Sequence, residues 1–351
     1  MFIKAGDRLR TGQPLYADSS SGQGVIGPPA QAVLFTPFAA IAAWNVTAAR
    51  VIWYVVNLAA LGFGVWWWAR AIVPERVRRP SDLASPLVLW PLAAIALPVE
   101  TNFEHQNMNP LLLGLTGAAA ALMASGRSLA GGAVLGSAAA VKVFPALAVL
   151  HLAFRGQWRS LWAALAAIAA LMSATAIWYG WTGASEAMRA FAGLASAGGW
   201  PDRPQNQSVY ATAARLFPDS AVAVAATVGV LAVLTLAWLA WRWRRTGPAA
   251  LGIELALALA LAVVSSPIAW DHYWVLMFPA FLAVYALDPR SRIRWVFWPA
   301  AVLVSGLSPL TLGLHGFNLA RAWSCDTVGG FILIGALITA SATTRSARPP
   351  C

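Results

Sequence analysis

Charged residues and cysteines are scarce in this chain of 351 residues. Asp, Glu, Lys and Arg together make up 11% of it, and there are two cysteines, Cys325 and Cys351. Two cysteines are too few for a disulfide framework, and no Cys or Cys/His spacing typical of a metal site occurs. The sequence therefore predicts no metal site and leaves the redox compartment open.

Apolar residues are abundant instead. They make up 59% of the chain, which has 19 Trp and a mean hydropathy of +0.65. Such values are typical of a polytopic membrane protein. The net charge of +11 does not indicate a nucleic-acid partner, because the arginines form short runs between apolar stretches, as in cytoplasmic connectors. Since the first 30 residues contain no apolar stretch, a signal peptide is not expected.

Nine apolar stretches approach or reach the roughly 20 residues that cross a bilayer. They are residues 48–73, 85–99, 110–123, 158–181, 221–241, 251–264, 273–287, 295–307 and 328–342. We therefore expect an all-α protein with a single membrane-embedded domain over residues 1–351 and about nine visible spans.

Basic residues between these stretches orient the chain in the membrane. They are Arg76, Arg78, Arg79, Arg127, Arg155, Arg159, Arg242, Arg244, Arg245, Arg290, Arg292, Arg294, Arg345 and Arg348. Placing all of them in the cytoplasm gives one consistent path. The exoplasmic segments are then residues 1–47, 100–107, 182–220, 265–272 and 308–325. We expect a bacterial plasma-membrane protein whose active site faces the exoplasmic side.

One stretch fits this path only as a re-entrant hairpin. Arg127 and Arg155 belong on the same side, although a single apolar stretch separates them. Two half-helices, residues 129–141 and 143–154, resolve the conflict and place Lys142 at the tip. Each half is about 18 Å long, shorter than a hydrocarbon core of about 30 Å. Irregular backbone at that depth needs surrounding protein or water, so we expect a cavity open to the exoplasmic side.

Three groups of polar residues fall in the predicted exoplasmic segments. The first holds Glu104, His105, Gln106, Asn107 and Asn109, the second Asn206, Gln207, Ser208, Tyr210 and Arg215, and the third Trp270, Asp271 and His272. Since all three groups lie on one predicted side of the membrane, they indicate an active site there.

Together with Lys142, these groups belong to a series of short motifs in a characteristic order. The motifs are Gly-Gln-Pro-Leu-Tyr at 12–16, Gly-Pro-Pro at 27–29 with residues 35–38, the asparagine-rich patch before Pro110, Lys142-x-x-Pro145, Asn206-Gln207-Ser208 followed by Arg215, and Ser-Pro-Ile-Ala-Trp-Asp-His at 266–272. In this order they resemble glycosyltransferase family 87 of the GT-C superfamily. The resemblance implies a membrane enzyme that takes mannose from a polyprenyl phosphate and inverts the anomeric configuration.

The chain departs from the family pattern in two places. Aligned on Asn109, the family's glutamine falls one position away from Gln106. Family members also begin with a helix that ends in an acidic residue, just ahead of the part matching residues 2–6, and no such helix precedes it here. We expect that Met1 is an internal start or that the chain is a fragment, with the usual base upstream.

The chemistry of such a transfer explains the residue types. A sugar leaving a lipid phosphate needs a cation near the developing charge and a base for the incoming hydroxyl, with no cofactor required. Lys142 is the candidate for the phosphate, since a charge at membrane depth is costly. The alternative is a lysine that snorkels from a helix end. His272 is a second phosphate donor or a proton shuttle, or else an interfacial histidine.

Three carboxylates are candidates for the base. Asp271 has the densest motif around it, and a helix N-cap explains it equally well. Glu104 is a candidate base or a solvated loop acid. Asp7 lies nearest to the position of the family's acid, but outside its register.

The remaining candidates are predicted to bind substrate. Gln106, Asn107 and Asn109 accompany Lys142. Asn206, Gln207 and Ser208 suit sugar hydroxyls, with turn and N-cap chemistry as the alternative for Ser208. Arg215 is a second phosphate candidate, and Trp270 and Tyr210 are candidates to stack on a sugar face.

We therefore expect a transferase that moves a hexose, with mannose favoured, to an exoplasmic glycolipid or glycan. An arabinofuranosyl donor is the nearest alternative. A lipid-linked sugar flippase or transporter is another, although transporters usually place polar residues near the midplane. A catalytically inactive relative that binds polyprenyl lipid is the third.

Overall fold

The computed structural model describes residues 2–16, 27–196, 203–243, 251–287 and 291–343. Over these ranges the predicted all-α architecture is confirmed, since they contain no β-strand and one isolated bridge, between Asn206 and Trp270. The chain divides into two compact units. Unit 1 holds residues 1–64 and 105–199, and unit 2 holds residues 65–104 and 200–351.

The helices follow one another with short connections. In chain order they are α1 (Phe2–Thr11), α2 (Pro29–Trp44), α3 (Val46–Ile72), α4 (Pro86–Ala93), α5 (Ala96–Glu104), α6 (Asn109–Ala124), α7 (Ser128–Val141), α8 (Ala146–Phe154), α9 (Trp158–Ala174), α10 (Ala176–Ser196), α11 (Val209–Leu216), α12 (Ser220–Trp243), α13 (Leu251–Ser265), α14 (Phe278–Tyr285), α15 (Phe297–Ala301), α16 (Pro309–Ala322) and α17 (Cys325–Thr343). Segments of 3₁₀-helix cover Pro80–Ala84, Asp271–Met277 and Arg292–Val296, and a π-helical turn covers Val302–Gly306.

Each predicted span coincides with helical structure, but many of the helices are short or bent. Among the described residues, α3 is the one helix both long and apolar enough to cross a membrane. Three bent pairs qualify as well: α4 with α5 at 56°, α9 with α10 at 100°, and Arg292–Gly306 with α16 at 82°. One to four crossings therefore follow from length and composition, and the nine predicted spans stay a prediction.

Helices also occupy segments that the sequence pattern left as exoplasmic connections. They are α1 and α2 within residues 1–47, most of α10 and all of α11 within residues 182–220, and α16 within residues 308–325. Several predicted basic connector residues, Arg244, Arg245, Arg290, Arg345 and Arg348, lie outside the described ranges.

Unit 1 contains the predicted hairpin. The chain leaves α7 at Val141 and resumes helix at Ala146, so the break falls at Lys142 as predicted. Gly132 packs against Ser160, and Gly136 packs against Ala164 one turn further along both helices. α7 and α9 therefore run in the same direction, and α8 must bring the chain back between them. The turns before α7 and before α9 consequently lie at the same end, where the sequence predicts Arg127 and Arg155 to be.

The contact between α7 and α9 depends on glycine. A Cβ atom on Gly136 would lie 2.2 Å from the carbonyl oxygen of Ala164, which a fixed backbone cannot accommodate without a shift. We expect Gly136→Ala to lower the apparent melting temperature in detergent, because overpacking costs about 1–3 kcal/mol. Gly62→Ala on α3 is the matched control, since a Cβ atom there meets nothing within 4 Å. Equal melting temperatures for the two variants would contradict this packing.

Candidate functional site

Lys142 and the asparagine-rich patch come together in unit 1. The Lys142 Nζ donates to Asn109 Oδ1 at 2.8 Å and to Asn107 Oδ1 at 3.1 Å. α6 and α7 are joined by a short turn and pack side by side, with Gly131 against Met123. This antiparallel pair places the first residue of α6 beside the last residue of α7, which explains how residues more than 30 positions apart meet.

The turn that carries these asparagines is held firmly. Gln106 has a left-handed backbone with φ of 51°, which is uncommon for a residue other than glycine. Its carbonyl oxygen accepts a hydrogen bond from Trp53 Nε1 at 2.9 Å. Phe35, Trp53, Met108 and Val141 form a buried cluster directly beneath the turn. The positions of Asn107 and Asn109 are thus set by packing rather than by the local sequence.

The electrostatics of this cluster suit an anion. The two amide oxygens bound to Lys142 are neutral, so they orient the ammonium group without cancelling its charge. The Phe144 ring lies 5.4 Å from Nζ and shields one side of the group. A half-buried, oriented cation of this kind is able to hold a phosphate.

In unit 2, Asn206 and its neighbours pair with the segment before Asp271. Gln207 N donates to the Ala269 carbonyl at 2.8 Å, and Ala269 N donates to Asn206 Oδ1 at 2.9 Å. Asn206 Nδ2 donates to the Pro267 carbonyl at 3.1 Å. Asn206 and Trp270 face each other in the isolated bridge. These hydrogen bonds therefore hold together two motifs that are more than 60 positions apart in the sequence.

Gln207, Ser208 and Arg215 have structural contacts in this arrangement. Ser208 Oγ caps α11 by accepting from Ala211 N at 3.0 Å. Gln207 Nε2 donates to the Arg321 carbonyl at 2.8 Å. Arg215 donates to Ser324 Oγ at 2.6 Å and to the Asn206 carbonyl at 3.0 Å. The side chains of residues 206–208 are fully buried. Their predicted roles in binding sugar or phosphate remain predictions.

Asp271 is buried, and one of its two carboxylate oxygens is engaged in an ion pair. Its Oδ2 accepts from Arg321 in an ion pair, while within the described part of the chain its Oδ1 has no hydrogen-bond partner. The Arg321 guanidinium also lies over the Phe317 ring at 3.8 Å, and Asp326 and Glu104 add negative charge nearby. The contact with Arg321 therefore fixes the orientation of the Asp271 carboxylate.

Sequence reasoning missed Arg321. A signal was present, because Arg321 is an arginine in a predicted exoplasmic segment, where the positive-inside pattern does not account for it. Its pairing with Asp271 needs α16, which the pattern treated as a connection.

The other predicted residues lie in contrasting surroundings. His272 is buried, with its ring edge-on to Tyr273 at 4.7 Å. Glu104 is exposed at the end of α5. Asp7 is partly exposed in unit 1, where Arg10 donates to its Oδ1 at 2.9 Å. Within the described ranges, no three His, Cys, Asp or Glu side chains come together as metal ligands would.

Over the described ranges the chain is an all-α architecture of apolar helices, as expected for a membrane-embedded protein. The sequence profile of glycosyltransferase family 87 matches residues 26–267. The chain therefore belongs to glycosyltransferase family 87, which confirms the resemblance drawn from its motifs, and it is a membrane-embedded enzyme.

Three similar proteins come from mycobacteria. A Mycolicibacterium smegmatis polyprenol-phosphate-mannose-dependent alpha-(1-2)-phosphatidylinositol mannoside mannosyltransferase is 27% identical over 95% of this chain and 80% of its own length. The Mycobacterium tuberculosis protein of the same description is 27% identical over 80% of this chain and 68% of its own. A Mycolicibacterium smegmatis relative described as acting on phosphatidylinositol pentamannoside is 30% identical over 81% of this chain and 65% of its own. No solved structure matches.

Proposed function

We propose that this glycosyltransferase moves a mannosyl residue from a polyprenyl phosphate to a mannosylated phosphatidylinositol or a similar glycolipid. The single observation that carries this proposal is the Lys142 cluster, an oriented cation that suits a lipid phosphate. The functions described for the three mycobacterial relatives support the choice of donor and acceptor.

The reaction is one displacement at the anomeric carbon. The oxygen of an acceptor hydroxyl forms a bond to that carbon, and the bond from the carbon to the phosphate oxygen breaks. The polyprenyl phosphate leaves as a monoester, and the hydroxyl proton passes to a base. The configuration is inverted, since attack comes from the face opposite the leaving group. Lys142 stabilises the charge that develops on the phosphate in the transition state.

Asp271 is the proposed base within the described residues. Its buried carboxylate keeps one oxygen without a hydrogen-bond partner in the described part of the chain, while Arg321 holds the other. A base must be within hydrogen-bond reach of the proton it accepts, and no internal hydrogen bond within the described residues competes for this oxygen. His272, the next residue, is the proposed donor to the departing phosphate or a proton shuttle.

The proposed location is the exoplasmic face of a bacterial plasma membrane. The support is the sequence pattern, in which the basic connectors fall on one predicted side and the polar motifs on the other. A polyprenyl donor needs no nucleotide, so chemistry outside the cytoplasm is feasible.

The test is transfer by the purified full chain in lipid nanodiscs. We expect radiolabelled mannose to pass from polyprenyl phosphate to phosphatidylinositol dimannoside, and no transfer from GDP-mannose. Transfer only from polyprenyl-phosphate arabinofuranose would show that the donor sugar is arabinofuranose and not mannose. Movement of the lipid-linked sugar across a vesicle membrane, without sugar transfer, would show that the protein is a flippase and not a transferase.

A further inference from the structure

A cavity of about 370 Å³ lies within unit 1, and Lys142 is not among its lining residues. One wall is the segment after α1, including Leu15 and Tyr16, and the other is α10, including Tyr179, Glu186 and Ala187. Ligand pockets have volumes of about 300–1,000 Å³. The cavity is therefore large enough for a small ligand or for one part of a larger one.

The lining of the cavity suits a neutral sugar. Tyr16 and Tyr179 supply aromatic surface, and Glu186 supplies a carboxylate that accepts hydrogen bonds. Sugar rings present apolar C–H faces and hydroxyl donors, which match these groups. The described lining residues include no Lys or Arg, and the nearby buried Arg8 is engaged with the Leu15 carbonyl, to which it donates at 2.8 Å.

Internal hydrogen bonds fix the walls. Tyr16 Oη donates to the Gly27 carbonyl at 2.8 Å, and Tyr179 Oη donates to the Gln13 carbonyl at 2.7 Å. Burial, with a smaller contribution from Tyr179, raises the pKa of Tyr16, so its phenol stays neutral and remains a donor. The rings are held in place before any ligand binds, which lowers the entropy cost of binding.

The position of α10 suits the headgroup of a lipid. The chain turns by 100° between α9 and α10, and Gly180 within α10 has a φ of 63°. Ile177 and Trp181 near this bend are 78% and 73% exposed. Exposed tryptophan and aliphatic side chains on a helix bent away from a span are typical of the membrane interface. The glycan of a glycolipid lies at that depth.

Helix α2 packs against both the cavity wall and the residues beneath the phosphate cluster. Ala32 packs with Leu15 and Ala187 of the cavity wall. Phe35 packs with Val141, the residue before Lys142. The rise along α2 between Ala32 and Phe35 is about 4.5 Å. A sugar in the cavity and a phosphate at Lys142 would thus be held by the same unit.

We propose that this cavity binds a mannosyl ring of the glycolipid acceptor, with Glu186 accepting hydrogen bonds from its hydroxyls and Tyr16 and Tyr179 contacting its C–H face. This inference rests on the proposed function and adds the place where the acceptor is recognised.

The first test varies phosphatidylinositol dimannoside at saturating polyprenyl-phosphate mannose. We expect Glu186→Gln to raise the KM for the acceptor about tenfold or more, because hydrogen bonds to a charged group are strong. The KM for the donor and the kcat should stay unchanged. Glu75→Gln, at an exposed glutamate of a connector outside the cavity, is the matched control.

A second measurement does not need turnover. Saturation-transfer NMR with methyl α-mannoside should show binding to the full chain in detergent, and the signal should fall at least several-fold in Glu186→Gln and in Tyr179→Ala. Tyr179→Phe keeps the ring but loses the bond to Gln13, so it should retain most of the signal.

The outcomes separate this inference from the proposed function. An active wild-type enzyme whose acceptor KM and NMR signal are unaffected by these variants would overturn the sugar site. A cavity that binds an alkyl chain and gives no NMR signal with methyl α-mannoside would also overturn the sugar site. The cavity would then be a lipid-binding site. A wild-type chain that transfers no sugar yet binds methyl α-mannoside through Glu186 would overturn the proposed function alone.

Discussion

Lys142→Met is expected to reduce mannosyl transfer from polyprenyl phosphate by about 10²- to 10³-fold, the usual effect of removing one group that stabilises transition-state charge. Methionine has nearly the length of lysine but no charge. The loss should appear mainly in kcat, because the phosphate gains charge as the sugar leaves. Initial rates of the purified variant in nanodiscs, at several donor concentrations, measure it.

Controls distinguish this role from a structural one. Lys4→Met removes the chain's other lysine, which is exposed on α1, and should leave the rate near that of wild type. Lys142→Arg keeps the charge and should restore part of the activity, while a monodisperse profile in detergent confirms that each variant is folded. A folded Lys142→Met enzyme with full activity would mean that Lys142 serves only as the hydrogen-bond partner of Asn107 and Asn109.

Asp271→Asn is expected to lower kcat by about 10²- to 10⁴-fold, since a positioned base contributes that much to the rate. Asparagine keeps the size of the side chain but cannot accept the acceptor's proton. The KM for the lipid donor should change little. The same assay with Glu104→Gln, at an exposed acid, and Asp7→Asn, at a partly exposed one, should give rates close to wild type.

The ion pair with Arg321 complicates Asp271→Asn, because leaving a buried charge without its partner costs about 3–5 kcal/mol. Replacing both residues removes that penalty. We expect Asp271→Asn/Arg321→Met to recover the apparent melting temperature but not the rate. Recovery of both would show that Asp271 serves only as the structural partner of Arg321.

Part of the fold followed from composition and periodicity. Apolar stretches predicted the positions of α3, α6, α9, α12 and α13 because burial in lipid or protein requires continuous apolar surface. The break at Lys142 followed from the charge pattern, since two arginine-bearing connectors had to share one side. The meeting of Lys142 with Asn107 and Asn109 was predicted only as a grouping of motifs, and their hydrogen bonds needed the antiparallel packing of α6 and α7.

The parts that could not be predicted depend on bends and long-range pairs. The turn of 100° before α10 depends on how α9 and α10 pack, which hydropathy does not report. α2 and α16 lie in segments where the charge pattern predicted connections, because that pattern locates sides of a membrane and not helices. The pairing of Arg321 with Asp271 joins residues 50 positions apart, and no local rule connects them.

The sequence by itself determined that this protein is a helical membrane glycosyltransferase, because apolar length and the order of short motifs are properties of the chain alone. Only the tertiary structure decided which polar groups have protein partners. It gave Ser208 a helix to cap, left Asp271 Oδ1 with no partner in the described part of the chain, and brought Glu186 to a cavity beside Tyr16. The reason is physical: residue type sets what a group can bind, whereas packing sets what lies within reach of it.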